Sequence, residues 1–411
     1  MVDDVPQPDL VLGHLRVGAL GSHLAPFASF LAERGYKSWT IRYAVRLASQ
    51  LGRWLARRRR GAESLGEEDV RGFLRCRWKR RRRHRDDRPC LRFLLECLRH
   101  RGVVARTVAP IPANEVGRVL RAYEGYLRRE RALAEPTVAN YASLVDRFLQ
   151  SRPVRRRVEP RLVRPSDVHG FILRYVRTVS RGRAKLMVTA LRSFFRFLRF
   201  RGDIGVDLAA CVPGVPGWRL TSLPKSVSVA EVRLILRTCD RRTAKGRRDY
   251  AILLLLARLG LRSREILGLT LEDLDWDRGE MVVRGKLGRV DRMPMPRDVG
   301  QALADYLRRD RPTCSTRSVF LRIRAPRRPI GTAALSTIVF RAVTLAGLHP
   351  PQCGAYLLRH SLATNMLRQG ASLGEIGDLL RHRVPTTTQI YAKYDLDGLR
   401  MVAQPWPGGR R

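Results

Sequence analysis

Along the first two hundred residues, apolar side chains recur at helical rather than strand spacing. Phe27, Phe30 and Leu31, then Leu47, Leu51 and Leu55, fall at i, i+3/i+4 intervals, which predicts amphipathic helices. Thr40 and Thr137 stand where helices could begin, and Pro136 precedes the second at a natural break. The pattern then repeats itself. DVRGF at 69–73 returns as DVHGF at 167–171, 98 residues later. LRFLLECLRHRG at 91–102 returns as LRSFFRFLRFRG at 191–202, 100 residues later. FASFL at 27–31 pairs with YEGYL at 123–127, 96 residues later. Offsets that nearly agree, and a period far too long for a solenoid, predict one all-helical unit used twice in tandem.

Gly205, Pro213, Gly214, Pro216, Gly217 and Pro224 then interrupt any helix, and beyond residue 226 the pattern changes. VAEVRLILRTC and RRDYAILLLLARLG read as helices. EMVVRGK (280–286) and VDRMPMP (290–296) alternate like two strands, joined tightly through Leu287, Gly288 and Arg289. Helical segments follow to the end. The expected fold is mainly α with one small antiparallel β-sheet in the C-terminal domain, arranged as a multi-domain clamp. The expected boundaries are a tail (1–21), a first helical module (22–106), a second (114–213), a linker (214–224), the C-terminal domain (225–403) and a tail (404–411).

Composition sharpens this picture in two ways. With 44% hydrophobic residues in 411, the chain can bury two or three cores. Its 80 Lys+Arg against 37 Asp+Glu give a formal charge of +43, an excess whose usual partner is a polyphosphate backbone. The bland alternative is a GC-rich genome that favours arginine codons; even then the protein would bind DNA at low salt. The runs RRRR (57–60), KRRRRHR (79–85) and RRR (155–157) nominate Arg57, Arg58, Arg80, Arg81, Arg155 and Arg156 as phosphate contacts, although such runs are often only solvated faces. Arg289 and Arg292, at the hairpin, join them. Seven cysteines without a CxxC pair read as reduced thiols, not a disulfide framework. The opening MVDDVPQPDL is unlike a signal peptide. The longest apolar run, AILLLLA at 251–257, is far short of the roughly 20 residues of a membrane span, so it reads as a buried helix. A cytoplasmic, nucleoid-associated bacterial protein with no membrane partner is expected.

Four features of the C-terminal half converge on one chemistry. ARLGLRSREILGL (257–269) places Arg262 just after a buried helix and Glu265 three residues on. The hairpin sets Lys286 at a strand end. LLRHSLATNML (357–367) puts Arg359 and His360 near a helix start. LLRHRVPTTTQIY (379–391) places His382 nine residues before Tyr391. Taken singly, each is usually a surface arginine or a packing tyrosine. Their joint presence, in this order, is what carries weight.

In that order the segment resembles the catalytic domain of the lambda-integrase family of tyrosine recombinases. GLRSREI (260–266) is similar to the family's first arginine box and GKLGRVDRMPM (285–295) to its lysine hairpin. YLLRH (356–360) resembles the HxLRH box, and LLRH (379–382) with the step to Tyr391 resembles the LGH…Y box. The resemblance spans about 225–395. The second helical module looks like the family's core-binding domain; the first has no such firm counterpart. Two positions depart from the pattern: Tyr356 stands where the box begins with His, and Arg381 stands where Gly is usual.

The resemblance implies a site-specific recombinase or integrase of a phage or transposon, working through a covalent 3′-phosphotyrosyl intermediate, and the residue chemistry agrees. Guanidiniums of Arg262 and Arg359 are planar, always ionised and suited to non-bridging phosphate oxygens. A donor pre-placed where charge develops contributes on the order of 3–4 kcal/mol. Tyr391 would be the nucleophile, with Tyr394 one turn on as its rival. Lys286 would protonate the departing 5′ oxygen, His382 would hold a phosphate oxygen, Glu265 and His360 would brace the site, and Tyr356 would stand in the histidine position. The covalent bond conserves energy, so no cofactor and no metal are expected. Expected partners are double-stranded DNA, copies of the same chain as a tetramer on two duplexes, and other recombinases of the same mobile element. A type IB topoisomerase, or a non-catalytic DNA-binding relative, are the alternatives.

Overall fold

The computed structural model describes residues 18–80, 82–105, 115–152, 162–216, 225–285, 288–351 and 353–392. The chain packs as two compact units. Residues 1–105 and 222–411 form one, and residues 106–221 form the other.

Among the described residues the first unit starts with the helices α1 (Leu24–Glu33), α2 (Ser38–Ala56), α3 (Glu67–Arg80) and α4 (Asp87–His100). Phe27, Leu31, Leu47, Leu51, Leu55, Leu91, Leu94 and Leu98 are buried together, so the predicted apolar stripes are the packed faces. A buried carboxylate ties three of these helices. Asp87 accepts from Tyr43 Oη at 2.5 Å and from Trp78 Nε1 at 2.8 Å.

Among its described residues the second unit holds the helices α5 (Glu115–Arg129), α6 (Glu135–Gln150), α7 (Pro165–Val176) and α8 (Arg181–Phe200). Its core gathers Tyr123, Leu127, Phe148, Phe171, Leu191, Phe194, Phe195 and Leu198. The positions matched by the internal repeat are core positions in both units: Phe27 with Tyr123, Leu31 with Leu127, Phe73 with Phe171, Leu91 with Leu191, Leu98 with Leu198. Even the helix stops agree. Gly102 follows α4 at φ +73° and Gly202 follows α8 at φ +76°, the left-handed turn that terminates helices and that a Cβ disfavours. Helix starts differ from expectation. α2 begins at Ser38 and α6 at Glu135, so Thr40 and Thr137 lie inside the first turn rather than capping it. Pro136 sits in that first turn, where it lacks only an N–H the helix would leave unpaired.

The remainder of the first unit carries α9 (Val229–Arg237), α10 (Ala244–Arg258), α11 (Ser263–Gly268), α12 (Arg297–Arg309), α13 (Thr332–Leu345), α14 (Ala355–Arg368) and α15 (Leu373–Leu379). A three-stranded antiparallel sheet, β1 (Leu274–Asp275), β2 (Glu280–Arg284) and β3 (Val290–Pro294), lies between α11 and α12 in sequence. Residues 251–256 of α10 are all at 2% exposure or less, which is why AILLLLA shows no polar face. The predicted hairpin is β2–β3, with Met281 opposite Met293 and Val283 opposite Asp291. Met281, Val283 and Met293 reach the core. β1, two residues long, shows no alternation that sequence reading could catch. Among the described residues no helix is long and apolar enough to cross a membrane.

The two parts of the first unit touch where Arg327 N–H donates to the carbonyl of Arg34 at 2.8 Å, with the Arg327 side chain against Gly35.

Candidate active site

The site is assembled from three short stretches that meet at the end of α15. Arg262 is the N-cap of α11. Its backbone N–H donates to Glu265 Oε2 at 2.8 Å, and its Nη1 pairs with Glu265 Oε1 at 2.6 Å. Gly260, two residues earlier, has φ +56°, and a Cβ there would lie 2.6 Å from Leu380 Cδ2. Only glycine lets the chain pass that close. Arg359 lies in the second turn of α14, one turn further in than a helix-start reading placed it, and is 3% exposed. It donates to the carbonyl of Gly260 and, at 2.6 Å, to that of Leu380. Arg262 Nη2 donates to the next carbonyl, that of Arg381, at 3.4 Å. Two guanidiniums 97 positions apart in the sequence thus settle on adjacent peptide oxygens.

Burial, and after it the neighbouring Arg262, pushes Arg359 down to about 10, so it stays charged near neutrality. Burial alone would raise the Glu265 carboxyl. The Arg262 N–H and the Arg381 and Arg262 guanidiniums outweigh it and hold Glu265 below the usual range.

Tyr391 closes the site. A 3-10 turn, Pro385–Ile390, delivers it into a small apolar cluster with Ala363, Ile376 and Leu380, where it is 1% exposed. Its Oη lies 2.8 Å from His360 Nδ1. Burial pushes the phenol up to about 12, against the opposing pull of Arg359. His382 Nδ1 lies 2.7 Å from Thr388 Oγ1. A hydroxyl donating there leaves Nε2 as the protonated nitrogen, free to donate. Burial first, and Arg359 second, push His382 down to about 4. His360 is lowered by burial and by Arg359. Tyr356 is 60% exposed, its ring 5.9 Å from that of His360.

Beside these groups opens a cleft of about 370 Å³ lined by Arg289, Asp291, Arg292, Asp378, Arg381 and His382. Arg289 pairs with Asp291 at 2.7 Å and Arg292 with Glu280 at 3.8 Å. In the first module Arg57 and Arg58 are exposed, and Arg58 stacks over Trp54. Lys286, Arg81, Arg155, Arg156 and Tyr394 lie outside the described residues, as does the side chain of Arg80. Among the described residues there is no group of three His, Cys, Asp or Glu that could hold a metal.

Sequence reading undervalued two residues. Arg381 is buried at 8% exposure, pairs with Glu265 Oε2 at 2.9 Å and occupies a left-handed conformation at φ +54°. Its signal was the departure from Gly at that position. Thr388, whose hydroxyl meets His382 Nδ1, had no signal beyond lying in the TTT run.

Paired arginines, a neutral histidine and a tyrosine phenol, gathered at the turn after α15, are groups suited to attack on a phosphodiester through tyrosine. Residues 225–396 match the phage integrase family, and residues 120–202 match the phage integrase N-terminal SAM-like domain. The integrase/recombinase y4rA of Sinorhizobium fredii is 42% identical over 402 residues, covering 97% of this chain and 98% of that protein. Tyrosine recombinase XerD of Mycobacterium tuberculosis is 31% identical, covering 70% of this chain and 96% of its own. A crystal structure of the XerH site-specific recombinase with a palindromic difH substrate shares the fold, with TM-score 0.54 and 19% identity over 69% of this chain and 83% of that one. The chain belongs to the phage integrase family of tyrosine recombinases, enzymes that cleave and rejoin DNA strands.

Proposed function

We propose that this protein is a site-specific recombinase of a mobile element, performing integration, excision or transposition through a 3′-phosphotyrosyl intermediate. In this reading Arg262 and Arg359 bind the two non-bridging oxygens of the scissile phosphate. Tyr391 attacks phosphorus, Lys286 protonates the departing 5′ oxygen, and His382 donates from Nε2 to a phosphate oxygen. Glu265 and Arg381 hold Arg262, and Tyr356 takes the position of the box histidine at the rim. The observation that carries the reading is the convergence of Arg262 and Arg359 on the neighbouring carbonyls of Arg381 and Leu380, eleven residues or fewer from Tyr391.

The finer organisation belongs to the same proposal. Residues 22–106 and 114–213 act as helical DNA-gripping modules and 225–403 as the catalytic domain. Arg57, Arg58, Arg80, Arg81, Arg155, Arg156, Arg289 and Arg292 meet backbone phosphates. Subunits assemble as a tetramer on two duplexes in the cytoplasm, with other recombinases of the same element as partners. XerH was captured on its difH substrate after cleavage, which supports a DNA-bound mode of action here.

A nicked duplex carrying the element's own end tests the reading. The wild type is expected to form an adduct that resists SDS, Tyr391→Phe to form none, and Tyr394→Phe to form it normally. An adduct that survives Tyr391→Phe would remove Tyr391 as nucleophile.

A further inference from the structure

We propose that His360 is the general base of this enzyme, taking the phenol proton of Tyr391 directly onto Nδ1. The inference rests on Tyr391 being the nucleophile.

Geometry supplies the first argument. His360 Nδ1 is 2.8 Å from Tyr391 Oη, within the reach a general base needs. Near neutrality the phenol is the protonated partner and the imidazole the neutral one, so with the ring proton on Nε2 the Oη–H donates to the Nδ1 lone pair. Burial reinforces both states, raising the phenol and, with Arg359, lowering the imidazole. The second argument is displacement. The position at which the family's box begins with histidine is Tyr356 here, a phenol that is itself a poor base, while the box's second histidine is retained as His360. It stands 60% exposed, and its ring meets the His360 ring at 5.9 Å. His360 is the next histidine on the same face of α14, one turn on, and its ring lies 5.7 Å from that of Tyr391.

The step balances. Oη forms the bond to phosphorus as its proton passes to Nδ1, and the bond from phosphorus to the 5′ oxygen breaks. The 5′ oxygen collects its proton from the acid on the opposite side. In rejoining, imidazolium returns the proton to Oη as the phenol leaves. The charged and titratable groups around His360 are Arg359 and Tyr356 on its own helix, Tyr391 across from it, and His382 nearby. Arg359 opposes imidazolium formation, which favours return of the proton to Oη in rejoining.

The test measures single-turnover adduct formation by the full chain on the nicked duplex. His360→Ala is expected to slow the step about 10²–10⁴-fold, the usual range for a general base. DNA affinity should be unchanged and added imidazole should restore part of the rate. His360→Asn keeps an acceptor oxygen but not the basicity, and is expected to be nearly as slow. A substrate with sulfur in place of the bridging 5′ oxygen needs no proton on its leaving group. It should rescue Lys286→Ala and not His360→Ala. Wild-type rates in His360→Asn, or rescue of His360→Ala by sulfur, would overturn the proposal. Tyr391→Phe in the same assay separates the two ideas, since an adduct there would sink the nucleophile assignment itself.

Discussion

Arg381 holds a backbone conformation that its own side chain penalises. A left-handed residue with a Cβ costs on the order of 1–2 kcal/mol relative to the right-handed helix region, yet Arg381 sits at φ +54°. What offsets the strain is a buried ion pair with Glu265 at 2.9 Å, although its Nε is left without a hydrogen-bond partner. The two effects separate by substitution. Arg381→Ala keeps the strain and loses the pair, whereas Arg381→Gly loses both. Chemical denaturation is expected to find the alanine variant less stable than the glycine variant by about 1 kcal/mol. Equal stabilities would mean that the strain is relieved elsewhere. The sequence displayed the anomaly but not its purpose. A missing Gly is visible in a string of letters; a carboxylate 116 positions away that receives the guanidinium is not.

At the scale of elements, the turn after α15 gathers the site, and its protonation couples to folding. His382 follows that turn and is pushed down to about 4 when folded, whereas in the unfolded chain it titrates near 6.5. Between those values the unfolded state binds more protons, so stability present above about pH 6.5 is lost as the pH falls toward 4. Glu265, held below its ordinary value, adds a loss at lower pH still, as acid reaches its carboxyl. Thermal melting from pH 7 to 4 should show the first decline in the wild type and a shallower one in His382→Asn. An unchanged slope would place the acid sensitivity in another group. Helices, the hairpin and the motifs that nominate the site were legible here because each is a local pattern: apolar stripes at helical spacing, alternation, and short runs such as GLRSREI and LLRH. Thr388, β1 and the Gly260–Leu380 approach were not, because they exist only once distant segments pack.

At the scale of the molecule, a formal charge of +43 governs how DNA is held. Each phosphate contact contributes about −0.9 to the slope of log affinity against log salt, so six to ten contacts would cost roughly 10³–10⁵ in affinity between 50 and 200 mM salt. Replacing exposed Arg57 and Arg58 together by alanine is expected to make that slope shallower by about 2, equally for cognate and unrelated duplexes. Gel-shift titrations at several salt concentrations measure it. No change would return those arginines to the category of solvated surface. The repeat was legible at this scale too, since matched core positions and matched glycine stops are written in the letters. How the modules group was not, because nothing local records which surfaces meet.

The hydrogen bond from Arg327 to Arg34 gives the amino-terminal helices an unexpected allegiance. Residues 1–105 group with 222–411 in one compact body, while the intervening 106–221 form another. Trimming the chain to its family-matched portion would therefore not simply shed an appendage. It would strip one flank from the body that holds Arg262, Arg359 and Tyr391, uncovering the loop around Arg327.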